Sequence, residues 1–152
     1  MSLRHSGPSI AAFALGFGLV GAAGPGVAAS EASIWPVEEG HVVAGFGKHR
    51  GIDIAAAAGT TVQSFRAGVV VGVGVVKGCG TRVQVRHGSV LSTYCNVADV
   101  SVAAGQKVAA GATLAKIAAA APGGRAHLHF EVQVDGKHLD PLALLPKAAS
   151  AG

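Results

Sequence analysis

Charged and aromatic side chains are scarce in this chain of 152 residues: Asp, Glu, Lys and Arg together make up 13%, and aromatic residues 5%. The 12 Lys and Arg outnumber the 8 Asp and Glu, which gives a formal net charge of +4. These basic residues are scattered and form no dense run, and few aromatic rings are present that could stack on bases. The composition therefore argues against a nucleic-acid partner. The mild positive charge fits a solvated surface or an anionic polymer equally well.

Sustained helical periodicity is missing as well, and the sequence instead consists of short apolar runs separated by many of its 23 glycines. This pattern predicts an all-β fold, a small antiparallel β-sheet or sandwich. Asp135-Gly136 is a strong signal for a hairpin turn. The segment "LDPLALLP" has room for one helical turn at most. The predicted strands cover residues 42–46, 68–76, 82–86, 91–94, 113–117 and 128–134.

The longest uncharged, mainly apolar stretch lies near the start of the chain. Arg4 and His5 give a short basic beginning, residues 10–20 are uncharged and apolar, and Val27 and Ala29 offer small residues for cleavage. This pattern predicts a secretory signal peptide, although an uncleaved anchor is the alternative. We therefore expect export, with no stable membrane insertion once the signal is removed. The predicted organisation is a signal peptide at 1–29, a linker at 30–33, one domain at 34–146 and a flexible tail at 147–152.

Only two cysteines are present, and they flank a predicted hairpin. The segment "TRVQVRHGSVLSTY" lies between Cys79 and Cys95, with its turn near Gly88 and Ser89. Folding of this hairpin brings the two cysteines close together, so we expect a disulfide in an oxidising compartment. A bridge that closes a loop of this size stabilises the fold by about 3 kcal/mol. A two-cysteine metal site is the alternative, but the CxxC spacing is absent.

The segment "GGRAHLHFEV" places polar and apolar side chains alternately. In a strand, residues two apart share a face, so His127, His129 and Glu131 are predicted to line one side. The other side would carry Leu128, Phe130 and Val132. Three groups that exchange protons on a single strand face indicate part of a functional site, because imidazoles are costly to bury without partners.

A second segment, "GKHRGIDIAAAAGTTV", supplies further candidate ligands. His49 and Asp53 are separated by three residues, and we expect Gly51 to allow a sharp bend between them. Each segment alone is a weak signal, but together they offer two imidazoles and one carboxylate. Three such ligands with an open fourth position are typical of a catalytic zinc site. The predicted ligands are His49, Asp53 and one histidine of the pair His127 and His129.

Seven segments in order resemble a known family: "HRGIDIAAAAGTTV", "AGVVV", "VRHG", "STYCNV", "VAAGQKVAAGATLAKI", "HLHFEV" and "DGKHLDPLALL". The chain resembles the lysostaphin-type, LytM-like zinc endopeptidases that cut peptide cross-links in bacterial cell walls. The resemblance covers nearly all of residues 34–146. It implies a small antiparallel β-sheet with the site in a groove, a zinc cofactor, and peptidoglycan stems or cross-bridges as the partner of a secreted, monomeric protein.

The resemblance also implies roles for individual residues. His49, Asp53 and His129 match the family's zinc ligands, and His127 matches a catalytic histidine. The family's Tyr-x-His segment reads Tyr94-Cys95-Asn96 here, so the second catalytic histidine is replaced by an amide, which can donate a hydrogen bond but cannot take up a proton or carry a positive charge. Glu131 either orients a ligand or is a solvated edge carboxylate. His87 is expected to have a structural role, Trp35 to pack the start of the domain, and His41 and His138 to lie on the surface.

Three functions are compatible with these patterns. The first is a secreted zinc metalloendopeptidase acting on wall peptides, with activity reduced by Asn96. The second is a non-hydrolytic LytM-like module that binds wall peptides or regulates another wall hydrolase. Members of that kind usually lose metal ligands, whereas this chain keeps the full set. A biotinyl or lipoyl carrier is remote: "VAAGQKVAAGATL" fits such domains, but only Lys77 is loosely comparable with a modified lysine, so the repeat serves as a fold marker.

Overall fold

A computed structural model describes residues 32–147. The predicted signal peptide, the first half of the predicted linker and most of the predicted tail lie outside these described residues. Within 32–147, no helix combines the length and hydrophobicity needed to cross a membrane.

Strands β1–β11 form two antiparallel sheets, and the all-β prediction is confirmed. The larger sheet has the order β1-β2-β10-β6-β5-β4-β8, with β11 also paired to β10, and the smaller has the order β3-β9-β7. One 3-10 turn follows, at Pro141–Ala143. The strands are β1 (His41–Ala44), β2 (Ile52–Ala55), β3 (Thr61–Gln63), β4 (Gly68–Val76), β5 (Gly80–His87), β6 (Val90–Cys95), β7 (Val97–Ala98), β8 (Lys107–Val108), β9 (Thr113–Ile117), β10 (His127–Val134) and β11 (Lys137–Leu139).

The sequence pattern predicted the long strands better than the short ones. Strands β4 and β9 have the predicted bounds, and β5, β6 and β10 are slightly longer than predicted. Strand β1 was placed at 42–46 but covers His41–Ala44. Five short strands were not predicted: β2, β3, β7, β8 and β11. The absence of β2 from the prediction matters most, because this strand carries Asp53.

The apolar face of β10 lies in the core, as its alternating pattern predicted. Leu128, Phe130 and Val132 are fully buried, and the core cluster that contains them also includes Val62 of β3 and Leu114 of β9. Full burial of one such side chain contributes about 1.5–3 kcal/mol. A shift of β10 by one residue would expose all three, so this burial fixes the register that turns its histidines toward the opposite face.

Gly51 lies at the end of the expected bend, which spans residues 46–51, and it also permits close packing. Its φ lies outside the left-handed region, and a Cβ built there would collide with the Phe130 carbonyl and come within 2.9 Å of Glu131 Cγ. Strand β2 pairs with β10 immediately beyond this point, with Asp53 opposite His129. The missing side chain therefore lets the two strands approach at the level of the candidate ligands.

The predicted hairpin and disulfide are both present. Strands β5 and β6 pair across a turn at Gly88 and Ser89, and Cys79 is bonded to Cys95. The Cys79 carbonyl accepts a hydrogen bond from the backbone N–H of Asn96 at 2.9 Å. The disulfide thus ties the β4–β5 turn to the segment that carries Asn96.

His87 and Trp35 have the structural surroundings expected of them. His87 Nδ1 donates to the Ala67 carbonyl at 2.7 Å, and its Nε2 lies 2.8 Å from Ser92 Oγ. Burial lowers the pKa of His87. Trp35 packs against the core, and its Nε1 donates to the Pro146 carbonyl at 3.1 Å, which joins the two ends of the domain.

Candidate metal site and its flanking groove

Two neighbouring strands bring the predicted ligands together. The pairing of β2 with β10 puts Asp53 opposite His129, and His49 lies in the bend that leads into β2. His129 Nδ1 is 2.7 Å from Asp53 Oδ1, and His49 Nε2 is 3.4 Å from Asp53 Oδ2. One ligand atom from each of these residues lies within 4.8 Å of the other two. We call these residues the ligand triangle.

The donor set and spacing of the ligand triangle suit zinc. A tetrahedral zinc with bonds of about 2.0–2.1 Å holds its ligand atoms about 3.3 Å apart. Two imidazole nitrogens and one carboxylate oxygen are ligands that zinc accepts, and the set leaves a fourth position open. The two imidazole rings are nearly perpendicular, with an interplanar angle of 79° and centroids 5.2 Å apart. The residues present therefore fit the implied metal.

Glu131 lies behind the ligand triangle and contacts His129. Its Oε1 is 2.9 Å from His129 Nε2, while His129 Nδ1 faces Asp53. This hydrogen bond raises the pKa of His129; burial opposes the shift, and the contact with Asp53 adds to it. The same hydrogen bond lowers the pKa of Glu131. A carboxylate that accepts the outer N–H of a ligand histidine fixes its tautomer and orientation. Because β10 is a central strand and the side chain is only 20% exposed, the interpretation of Glu131 as a solvated edge carboxylate does not fit.

His138 belongs to the same cluster, and its prediction as a surface residue is wrong. The Asp135-Gly136 turn folds β11 back on β10 and pairs His138 with Gln133. His138 Nε2 donates to Glu131 Oε2 at 3.0 Å, and its side chain is 21% exposed. Both oxygens of Glu131 are therefore occupied by histidines. The predicted hairpin turn was the signal that could have placed His138 here.

The second histidine of the pair, His127, contacts the residue that departs from the family pattern. Its Nδ1 lies 2.9 Å from the Arg125 carbonyl, which can only accept, so Nδ1 carries the proton. Nε2 then keeps its lone pair and accepts a hydrogen bond from Asn96 Nδ2 at 3.1 Å. The amide thus caps the basic nitrogen of His127.

Asn96 lies between β6 and β7 in an unusual backbone conformation. Its φ is +67°, in the left-handed region that asparagine tolerates better than most residues. Its N–H donates to Cys79, and its carbonyl accepts from the Ala118 N–H at 2.9 Å. These contacts hold the amide in a fixed place beside His127.

Two cavities lie along this face of the large sheet. The first, about 360 Å³, is lined by His129 and Glu131 together with Arg82 and other residues of β5 and β6. The second, about 440 Å³, is lined by Asn96, His127 and the alanine-rich segment 118–121. We call these two the groove cavities: the first is lined mainly by polar side chains, and the second mainly by small apolar ones.

A sequence model of peptidase family M23 matches residues 47–141. The chain belongs to peptidase family M23. All three members of the ligand triangle, together with Asn96 and His127, fall inside the matched segment.

Among curated relatives, outer membrane antigenic lipoprotein B of Haemophilus influenzae is 34% identical over 119 residues, 74% of this chain and 29% of that protein. The murein hydrolase activator NlpD of Escherichia coli is 33% identical over 119 residues, 74% of this chain and 31% of NlpD. The chain thus spans less than a third of the length of either relative. Among solved structures, a zinc-containing peptidase from Vibrio cholerae has a TM-score of 0.67 and 27% identity, over 72% of this chain and 39% of that one.

Proposed function

We propose that this protein is an exported zinc metalloendopeptidase that hydrolyses peptide cross-links of bacterial peptidoglycan. Family membership and the likeness to a zinc-containing peptidase support the reaction class. The similarity to a murein hydrolase activator supports the cell wall as its place of action. The protein would act as a monomer in the cell envelope or outside the cell.

The observation that carries the proposal is the ligand triangle with Glu131 behind it. His49, Asp53 and His129 would hold the zinc, and Glu131 would keep the His129 ring oriented. Zinc bound there would acidify a water molecule and polarise the scissile carbonyl. A purely structural cluster would not need two imidazoles and a carboxylate that converge at a groove.

His127 would handle the proton. Its Nε2 carries a lone pair, and the hydrogen bond to Arg125 fixes the ring so that this atom faces Asn96. Once a water molecule or the substrate displaces the Asn96 N–H, a histidine with this tautomer can accept a proton as a general base and later return it to the leaving amine. Asn96 has a second amide N–H, which can donate to the negative charge that develops on the attacked carbonyl.

A non-hydrolytic module that binds wall peptides or regulates another hydrolase is the second candidate. Asn96 favours it, because an amide cannot supply the charge of the histidine that the family pattern has there. The relative named as a murein hydrolase activator favours it as well. The complete ligand triangle favours the peptidase.

Digestion of purified peptidoglycan by the zinc-loaded protein tests the proposal. We expect new peptide fragments by mass spectrometry, and loss of these fragments in His129→Ala. The control is His41→Ala, because His41 is an exposed histidine on β1 that lies outside the ligand triangle and both groove cavities. Binding of peptidoglycan without any released fragment would refute the peptidase and favour the second candidate.

A further inference from the structure

An arginine without a partner lies in the same cross-strand row as two members of the ligand triangle, His129 and Asp53. Arg82 of β5 pairs with Cys95 of β6, which pairs with His129 of β10, which pairs with Asp53 of β2. Neighbouring strands are about 4.8 Å apart, so the backbones of Arg82 and His129 are separated by about 10 Å. Both residues line the cavity of about 360 Å³.

The guanidinium of Arg82 has no carboxylate of its own. Its Nε is buried without a hydrogen-bond partner, and within residues 32–147 the side chain forms no ion pair. Glu131 is the one acid lining this cavity, but His129 and His138 already occupy its two oxygens. A buried donor with no partner is uncommon in folded proteins and requires an explanation. A ligand oxygen in the cavity would give this guanidinium a partner.

The strand beside Arg82 leaves room for such a ligand. Arg82 pairs with Gly74 of β4, and a Cβ built on Gly74 would meet no atom within 4 Å. The next residue on the same face of β4, Gly72, would contact only Gln84. Glycines inside a strand often mark a place where a ligand approaches closely. Two further cations, Arg50 and Lys77, line the cavity.

We propose that Arg82 binds a free carboxylate of the peptide and thereby makes the site selective for acidic, unamidated wall peptides. Guanidinium groups match carboxylates in shape and form paired hydrogen bonds with them. An extended peptide advances about 3.3–3.6 Å per residue. The separation of Arg82 from His129 therefore corresponds to two or three residues between the carboxylate and the attacked bond. This inference rests on the proposed function, since it assumes that a wall peptide occupies the groove.

Three fluorescent tetrapeptides test the proposal with the zinc-loaded full chain. The parent is L-Ala-D-isoGlu-L-Lys-D-Ala with both carboxylates free, the second has an amidated C-terminus, and the third has D-isoGln in place of D-isoGlu. Binding is measured by fluorescence anisotropy. We expect one amidated peptide to bind about 10-fold more weakly than the parent, the effect of losing a hydrogen bond between charged groups. Which amidated peptide binds more weakly identifies whether the carboxylate is the C-terminal one or the free α-carboxylate of D-isoGlu.

Variants then assign the effect to Arg82. Arg82→Gln should remove the difference between parent and amidated peptide, and Arg82→Lys should restore part of it while keeping the charge. Arg86→Gln is the matched control, because Arg86 lies on the same strand but does not line the cavity. Melting temperatures check that each variant is folded.

Several results would overturn the inference: equal binding of the three peptides, no measurable binding, or the same loss in Arg82→Gln and Arg86→Gln. Binding does not require cleavage, so the two proposals fail separately. Selective binding without hydrolysis would refute the peptidase and keep the carboxylate site. Hydrolysis with no preference for the free carboxylate would support the peptidase and refute the carboxylate site.

Discussion

Replacing Asn96 with histidine tests whether this site is an attenuated peptidase. In the proposed function, the ligand triangle would hold the metal and His127 would act as the general base, and the residue missing from the family pattern is the second histidine. The Asn96 amide donates one N–H to His127 Nε2, which leaves one N–H for a substrate oxygen. Asn96→His would place a donor that can carry a positive charge at the same point.

The size of the gain follows from the role of that remaining N–H. If it already donates to the developing oxyanion, the change replaces a neutral donor with a charged one. Hydrogen bonds to charged groups are about 1.4 kcal/mol stronger than neutral ones, which corresponds to about a tenfold gain in turnover. If it makes no such contact, the variant supplies a missing oxyanion donor, worth about 100-fold. Because histidine also tolerates the left-handed backbone, the melting temperature should fall by no more than about 5 °C.

The assay is the turnover number for release of fragments from purified peptidoglycan, with zinc content and melting temperature measured on the same samples. His127→Ala in the Asn96→His background should abolish the gain, since the general base is then absent. A wild-type protein that is faster than Asn96→His would show that the amide is a working part of the site. That result would refute the interpretation of Asn96 as a defect.

Three further predictions concern metal, disulfide and pH. Purified protein should hold about one zinc per chain by elemental analysis. His129→Ala or Asp53→Ala should lose most of this zinc, while His127→Ala should keep it. Equal loss in all three variants would show that His127 is also a metal ligand. Mass spectrometry of exported protein should find no free thiol, and reduction should cost about 3 kcal/mol of stability without releasing zinc. Burial lowers the pKa of His87, so the unfolded chain binds this proton more readily than the folded one, and stability should fall as the pH drops below about 6.5. In His87→Gln the melting temperature should therefore fall less steeply as the pH is lowered. The same pH dependence in the variant and the wild type would show that His87 is not the cause.

The features that could be predicted from the sequence are those with local signals. Alternation in "HLHFEV" gave both faces of β10, and the turn residues gave the β5–β6 hairpin and with it the disulfide. Spacing and residue type gave His49, Asp53 and one further histidine as candidate ligands, although Asp53 and His129 are 76 positions apart. Resemblance to a family supplied what spacing could not, namely the separate roles of His127 and His129.

The features that escaped prediction depend on pairing between distant segments. Strand β2 has four residues beside an alanine run, too few to show a period, and it forms because β1 and β10 pair with it. Nothing in the sequence distinguishes Arg82 from the other scattered basic residues. Its distance from His129 follows only from the pairing of β5 with β6 and of β6 with β10. His138 could have been placed from the predicted Asp135-Gly136 turn, because that turn sets the register in which β11 pairs with β10.

The left-handed backbone at Asn96 has a consequence for how this site can change over evolutionary time. A φ of +67° admits few side chains without strain, chiefly glycine, asparagine, aspartate and histidine. One base change converts an asparagine codon into a histidine codon, and neither residue requires the strand ends to move. If the proposed function holds, selection can therefore raise or lower the rate of hydrolysis at this position without replacing either cysteine or any of the candidate metal ligands.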